Sequence, residues 1–257
     1  MNTLQILLMT FVLGIFNAPP TFHGNKVIAH RGAWKASENP QNSIAGLKEA
    51  IRLGCEGTEF DVWMTKDEVL VVNHDPDFMR MPIESSTYEA LSTLKLPNGE
   101  GLPTVEAYIK KGIRQQSSTK LIFEIKTSQV NKARSLKLAE KSVQLVHDLG
   151  AEAWVEFIAF DYDVCIKIME KDPLAKVAYL NGDKTPAELK KAGFYGLDYN
   201  INRLREKPNW IKEAHDLGLT VNVWTVNKRE DMLWLLEQNV DFITTDEPEL
   251  LLDLVGR

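Results

Sequence analysis

The chain has 257 residues, 44% of them hydrophobic, which is enough to bury one large core; either a single α/β barrel or two small domains fits that length. With 36 acidic residues against 30 Lys and Arg, the formal net charge is -6 and the pI is near 5.5. That balance argues against a general nucleic-acid or anionic-membrane binder, because such proteins display a basic patch or stripe.

Taken in chain order, the first signal is an apolar run from Leu4 to Phe16, followed by Asn17-Ala18-Pro19-Pro20. It reads as the apolar region of a secretory leader, too short to span a bilayer. No Lys or Arg precedes it, and Phe16 stands where a leader usually has a small residue. The expectation is a signal peptide over residues 1–18, a barrel over residues 19–257, and export to the periplasm or medium. No later segment is long and apolar enough to cross a membrane, so no stable membrane insertion is expected once the leader is removed. Cys55 and Cys165 lie far apart without CxxC or Cys/His spacing, which indicates two buried thiols rather than a zinc site or a disulfide framework.

Beyond the leader, short runs rich in β-branched residues alternate with segments of helical period, the pattern of a parallel sheet built from βα units. The predicted strands are Lys26–Ala29, Gly57–Val62, Leu121–Ile125, Trp154–Phe160, Lys176–Leu180, Gly196–Asp198, Thr220–Trp224 and Asp241–Thr244, with Val69–Asn73 as a further extended piece. The predicted helices are Ser43–Leu53, Thr104–Ile113, Asn131–Leu149, Asp163–Lys171, Pro186–Ala192, Pro208–Leu217, Arg229–Gln238 and Pro248–Val255. Ser43, Thr104 and Thr185 are N-cap candidates, and Gly54, Gly150, Gly193 and Gly218 fall where helices should end. Eight strand–helix pairs without a dividing linker predict an α/β, single-domain (β/α)8 TIM-type barrel. The stretch from Asp75 to Gly101, with Pro76, Pro82, Pro97 and Gly99, reads as an elaborated loop.

A barrel of this kind places catalytic groups at the C-terminal ends of its strands and in the loops that follow. Polar residues gather there: His30-Arg31-Gly32, Glu59 and Asp61, His74, Glu124 and Lys126, then Asp198, Trp224 and Thr245-Asp246. Side chains two apart on a strand share a face, so Glu59 with Asp61, and Glu124 with Lys126, project together. Three converging carboxylates repel one another, and one divalent cation is their natural partner. An all-oxygen set suits Mg2+ or Ca2+ rather than zinc. The spacing alone is common, and Asp75/Asp77, Asp161/Asp163 and Glu247/Glu249 read as loop or helix-end charges.

His30 and His74 flank the acidic centre, where imidazole can take and give protons near neutral pH. His23, His147 and His215 have no such company and read as surface or packing residues. Arg31 and Lys126 offer donors to a phosphate, and can equally neutralise the carboxylates.

The phrases Val27-Ile28-Ala29-His30-Arg31-Gly32, Glu59-Phe60-Asp61-Val62, Val71-Val72-Asn73-His74-Asp75, Leu102-Pro103-Thr104-Val105-Glu106, Phe123-Glu124-Ile125-Lys126, Val223-Trp224-Thr225-Val226-Asn227 and Asp241-Phe242-Ile243-Thr244-Thr245-Asp246-Glu247-Pro248 resemble, in order, the signatures of the glycerophosphodiester phosphodiesterase family. The resemblance covers essentially the whole chain after the leader. It implies a TIM-type barrel that hydrolyses small glycerophosphodiesters to an alcohol and glycerol phosphate. By the same resemblance Glu59, Asp61 and Glu124 match metal ligands, His30 and His74 the general acid/base pair, Arg31 and Lys126 phosphate contacts, and Trp224 a pocket wall. For Trp224 a filler of the barrel core is an equally simple role.

Two departures bear on the leaving alcohol. Where the family usually has Pro-Glu-Asn-Thr or Pro-Glu-Asn-Ser, this chain reads Pro40-Gln41-Asn42-Ser43, with Glu38 nearby as a possible substitute acid. After His74, Phe78-Met79-Arg80-Met81-Pro82 replaces the usual Arg-Thr-Thr pattern. The residues leave open a phospholipase-D-like action on another diester such as a lysophospholipid, a non-catalytic phosphodiester-binding barrel, and a TIM-barrel hydrolase of other chemistry.

Overall fold

The computed structural model describes residues 20–114 and 117–256, so the expected leader lies outside the described residues. In chain order the strands are β1 (Val27–Ala29), β2 (Gly57–Met64), β3 (Leu70–Val72), β4 (Asp77–Phe78), β5 (Met81–Pro82), β6 (Lys120–Ile125), β7 (Val155–Ala159), β8 (Val177–Tyr179), β9 (Gly196–Asn200), β10 (Thr220–Trp224) and β11 (Phe242–Thr245). The helices are α1 (Ile44–Leu53), α2 (Tyr88–Ser92), α3 (Val105–Gly112), α4 (Lys132–Asp148), α5 (Tyr162–Lys171), α6 (Pro186–Ala192), α7 (Ile201–Glu206), α8 (Asn209–Asp216), α9 (Arg229–Glu237) and α10 (Pro248–Val255). Strands β1, β2 and β6 through β11 pair in parallel, and β1 bonds both β2 and β11, closing a (β/α)8 TIM barrel. β3 lies antiparallel on the edge of β2 rather than in the barrel wall.

Alternation along the strands sorts the core into two shells, because successive side chains point to opposite faces. Phe60 and Val62 of β2, Leu121 and Phe123 of β6, and Val221 and Val223 of β10 face the helices and are buried in the main apolar cluster. Between them, Ile28, Ile122, Ile158 and Leu180 turn inward and fill the barrel with Phe242 and Trp224. Glu59, Asp61 and Glu124 share that inward phase. Their strand register sets Asp61 beside Glu124.

Strand ends follow the availability of partners. β2 runs on to Met64 because β3 pairs there, Met64 opposite Leu70, and β9 continues to Asn200 because Trp224 of β10 lies opposite. β7, in turn, excludes Trp154, since pairing with β6 starts at Val155, and Phe160, since pairing with β8 stops at Ala159. Ser43, Thr104 and Thr185 cap their helices as expected, Thr185 in a reciprocal box with Glu188. Gly54 and Gly193 end α1 and α6 in the left-handed region. Cys55 and Cys165 are both buried. No described helix is long and apolar enough to cross a membrane.

The segment from Asp75 to Gly101 is more ordered than a loop. It holds the β4–β5 hairpin and α2, packed over its own small core of Trp63, Val71, Phe78, Ile83, Leu91 and Leu102. α7, a second unexpected helix, precedes α8. The insertion is clamped to the barrel by Glu84, whose carboxylate accepts from Ser128 Oγ at 2.6 Å, Gln129 N at 2.8 Å and Arg134 Nε at 2.9 Å. Arg134 in turn donates to the carbonyls of Met64 and Thr65 at 2.8 and 2.6 Å. Removing the carboxylate strands a part-buried guanidinium, so Glu84→Ala is expected to cost about 2–3 kcal/mol in urea unfolding. A loss within the ~0.5 kcal/mol of an ordinary surface change would show that the clamp carries no stability.

Candidate active site

The eight residues named from the sequence as ligands, proton carriers or binding groups assemble at the C-terminal end of the barrel. His30, Arg31, Glu59, His74, Glu124, Lys126 and Trp224 line one cavity of about 100 Å³, and Asp61 lies directly beneath them. Each is brought there by a short local rule. His30 and Arg31 follow β1 in a turn where Arg31 has φ 56° and Gly32 φ 85°. A Cβ on Gly32 would stand 2.8 Å from the backbone carbon of Gly46, so only glycine lets this turn pack on α1. Asp61 and Glu124 come from inward strand positions, and Lys126 lies just past β6, its N–H donating to the Val62 carbonyl at 3.1 Å.

The carboxylates are buried, with Glu59 2%, Asp61 1% and Glu124 8% exposed. One oxygen from each lies within 4.8 Å of the others. Burial, then the charges of Asp61 and Glu124, hold the Glu59 carboxyl well above its usual range. Burial, with Asp61 next, lifts Glu124 to about 7. Burial pushes Asp61 in the same direction, but Lys126, His74 and the Asn42 hydrogen bond outweigh it and keep that carboxyl below its ordinary value. Lys126 Nζ sits 2.7 Å from Asp61 Oδ1 and 2.6 Å from Glu124 Oε1. Burial opposes the Lys126 charge, and these two acids more than restore it. Arg31 donates its backbone N–H to Glu59 Oε2 at 2.8 Å, and its Nε stands 3.6 Å from Asp61 Oδ2. Glu59 Oε1 is buried with no hydrogen-bond partner. An orphaned carboxylate oxygen in an all-oxygen cluster of this size fits a hard divalent cation.

Both histidines turn Nδ1 away from the cluster and onto a carboxylate. His30 Nδ1 meets Asp246 Oδ1 at 2.7 Å, and its Nε2 lies 3.9 Å from Glu59 Oε2. His74 Nδ1 meets Asp75 Oδ1 at 2.8 Å. An Nδ1–H donated to a carboxylate leaves the Nε2 lone pair of a neutral ring available as a base. Burial is the main cause lowering the His74 pKa, and Lys126 and Arg31 add to it against the opposing pull of Asp61. Asp246 is also held by Asn227 Nδ2 at 2.7 Å. Burial alone would raise its carboxyl, but the bonds from His30 and Asn227 keep it below its usual value.

A family model described as the glycerophosphoryl diester phosphodiesterase family matches residues 30–250. The chain belongs to this family. As a glycerophosphoryl diester phosphodiesterase it is a phosphoric diester hydrolase, and the family is metal-dependent. A glycerophosphodiester phosphodiesterase of Caldanaerobacter subterraneus subsp. tengcongensis is 28% identical over 249 residues, covering 90% of this chain and 98% of that protein. The crystal structure of a glycerophosphodiester phosphodiesterase from Parabacteroides distasonis superposes with a TM-score of 0.87 at 42% identity, over 91% of this chain and 98% of that one. An Oleispira antarctica phosphodiesterase solved with the product sn-glycerol-3-phosphate shares the fold at TM-score 0.75 and 20% identity, over 91% and 97% of the two chains.

Against the family's usual Pro-Glu-Asn phrase, Gln41 keeps the contact that matters locally. Its Oε1 accepts from Arg31 Nη1 at 2.8 Å, so an amide oxygen does what a carboxylate oxygen would do there. Glu38 is exposed and its backbone N–H turns to Lys35, so it does not stand in. Asn42 clasps Asp61 twice, donating Nδ2 to Oδ2 at 2.8 Å and accepting from the Asp61 N–H at 3.2 Å. Trp224 both lines the cavity and packs in the barrel: its Nε1 donates to the Asp198 carbonyl at 2.8 Å, and its ring meets Phe160 edge-on at 5.5 Å. In the sequence Asp246 reads only as a strand-end acid, and Asn42 and Asn227 carry no chemical signal of their own. Asp246 and Asn227 sit inside phrases that carry the family resemblance, and Asn42 in the Pro40-Gln41-Asn42-Ser43 phrase that departs from it at Gln41 alone. His147 and His215 pair with Asp172 and Asp241 at 3.0 Å, away from the site.

Proposed function

We propose that this phosphodiesterase hydrolyses small glycerophosphodiesters to an alcohol and glycerol phosphate, with His30 and His74 moving protons. In this reading Arg31 and Lys126 hold phosphate oxygens, Glu59, Asp61 and Glu124 hold one Mg2+ or Ca2+, and Trp224 walls the pocket. The observation that carries it is the convergence of two carboxylate-backed histidines, three buried acids and two cations on a single cavity.

A bound divalent cation supplies Lewis-acid stabilisation to charge on the phosphoryl oxygens. The protein's own groups do the rest. The Arg31 guanidinium, braced by Gln41, and the Lys126 ammonium present fixed donors, so little reorganisation is needed as charge develops. One histidine accepts at Nε2 the proton of the nucleophile, either water or a substrate hydroxyl whose cyclic ester water then opens, and the other delivers a proton to the departing alkoxide oxygen. Asp246 and Asp75 fix the two rings so that Nε2 is the reacting nitrogen. Ile158, Phe160 and Leu180 form an apolar side of the cavity, suited to the carbon skeleton of the ester rather than to its charge. The same reading takes residues 1–18 as a leader removed on export, which N-terminal sequencing of the mature chain checks.

The test is a substrate panel run on protein lacking residues 1–18, with added Mg2+ or Ca2+. Glycerophosphocholine, glycerophosphoethanolamine and glycerophosphoinositol are expected to release glycerol phosphate. Turnover confined to lysophospholipids, or to diesters without a glycerol moiety, would refute the substrate assignment.

A further inference from the structure

Asp198 lies at the middle of β9 on its inward face, and its side chain has no part in the chemistry above. It is 2% exposed and contacts the cavity floor from inside the barrel. Oδ2 accepts from Asn222 Nδ2 at 3.0 Å, and Asn222 also bonds Thr244 Oγ1 at 2.9 Å, so one side of the carboxyl is fixed by a small polar relay. Oδ1, by contrast, is buried with no hydrogen-bond partner. Around it the floor is apolar, made by Ile158, Leu180 and Trp224.

A carboxyl with one oxygen idle in such surroundings is a costly thing for a core to keep. Ile or Leu would fill the same inward position without penalty, as Ile158 does on β7 and Leu180 just past β8. The cost is offset when a ligand supplies the missing partner. Asp198 lines two cavities; the one inside the barrel holds about 20 Å³, room for a single water, so the space for a ligand is the active-site cavity, where the phosphate end of a substrate is already met by Arg31 and Lys126. What reaches the floor is then the carbon chain of the alcohol esterified to that phosphate. On a glycerol moiety this chain carries hydroxyls.

We propose that Asp198 is a specificity-determining residue that hydrogen-bonds a hydroxyl of the substrate's glycerol moiety through Oδ1, held for that role by Asn222 and Thr244. The proposal deepens the substrate reading above and rests on it. Burial, only partly countered by the Asn222 hydrogen bond, lifts the Asp198 carboxyl to about 8. A neutral carboxyl both donates and accepts, as a hydroxyl does, and brings no further negative charge near a phosphate. The apolar floor around it rewards carbon and leaves one polar contact to discriminate, which is how a pocket built around a hydroxyl rejects an analogue lacking it.

The test compares two phosphate monoesters that differ only in hydroxyls, sn-glycerol 3-phosphate and n-propyl phosphate, titrated calorimetrically into protein lacking residues 1–18 with Mg2+ or Ca2+ present. The wild type is expected to bind the glycerol ester about 10- to 100-fold more tightly, the range a buried hydrogen bond provides. Asp198→Leu should erase most of that preference while changing n-propyl phosphate affinity far less, and Asp198→Asn, which can still donate and accept, should keep most of it. If the Leu variant does not fold, as its melting curve will show, Asp198→Ala takes its place. Equal wild-type affinity for the two esters, or a preference that survives loss of the side chain, overturns the proposal. So does a wild type that binds neither ester. A wild type that cleaves no glycerophosphodiester yet keeps an Asp198-dependent preference would refute the catalytic reading alone.

Discussion

His30→Ala and His74→Ala are each expected to lower turnover of glycerophosphocholine by about 100- to 10,000-fold, the usual cost of losing a general acid or base. The two losses should not multiply in the double variant, because the rings act on opposite ends of one displacement. Neither imidazole is a structural strut. The His74 side chain is 38% exposed, and His30 is anchored chiefly through Nδ1 to Asp246. Melting temperatures should therefore stay near that of the wild type while turnover falls. Asp246→Asn gives a finer reading of the same idea. An amide has one acceptor where the carboxylate serves two donors, His30 Nδ1 and Asn227 Nδ2, so the ring's tautomer is no longer fixed, and a loss of about 10- to 100-fold in kcat with little change in KM is expected, as for other groups that orient a reacting histidine. Near wild-type turnover in either alanine variant would overturn the assignment of the pair.

Removal of divalent ions is expected to abolish activity and, separately, to destabilise the protein. Three buried acids face two cations in the ion-free site, and Glu59 and Glu124 answer by holding their protons. Adding Mg2+ or Ca2+ at about 100 times its dissociation constant should stabilise the fold by about 2.7 kcal/mol, seen as a rise in melting temperature. Binding should also release protons, measurable by calorimetry in buffers of different ionisation heat. The pH dependence has a definite sign. Glu124 titrates near 7 when folded against 4.5 in the unfolded chain, so the native state binds more protons between those values. The contribution of Glu124 to the stability of the chelated protein is then full below about pH 4.5 and declines as pH rises through about 7, and added cation should flatten that decline. Asp61→Ala and Glu59→Ala should remove both the activity and the thermal response to the ion. Full activity in excess chelator, with no thermal response to either cation, would dismiss the metal site.

Much of this was legible in the chain because its signals are local. A strand that must bury one face on helices and another inside a barrel writes its alternation into Glu59-Phe60-Asp61-Val62 and Phe123-Glu124-Ile125-Lys126, and those phases gave both the fold class and the inward direction of the acids. Helix ends were equally local, since a cap needs only Ser43, Thr104 or Thr185 at the right step. The β4–β5 hairpin, of two-residue strands, and the five-residue α2 escaped notice because elements so short carry no measurable period. They exist because Trp63, Phe78 and Leu91 find a small core together, which only the folded chain supplies.

The seven cavity-lining residues with Asp61 were thus nameable from the sequence, but not what holds them. That Asp246 braces His30 across 216 residues follows from closure of the barrel, where β11 returns beside β1. That Gln41 keeps an acceptor on Arg31, where the resemblance marked only a missing acid, depends on the turn geometry at Arg31 and Gly32. Asp198 is the sharpest case: one more acid at a strand end in the sequence, it becomes a buried carboxyl with one idle oxygen when the closed barrel packs apolar side chains around it. Residue type and spacing determined which chemistry the chain could carry. Long-range strand pairing decided which polar atoms are satisfied by the protein and which are left to meet a ligand.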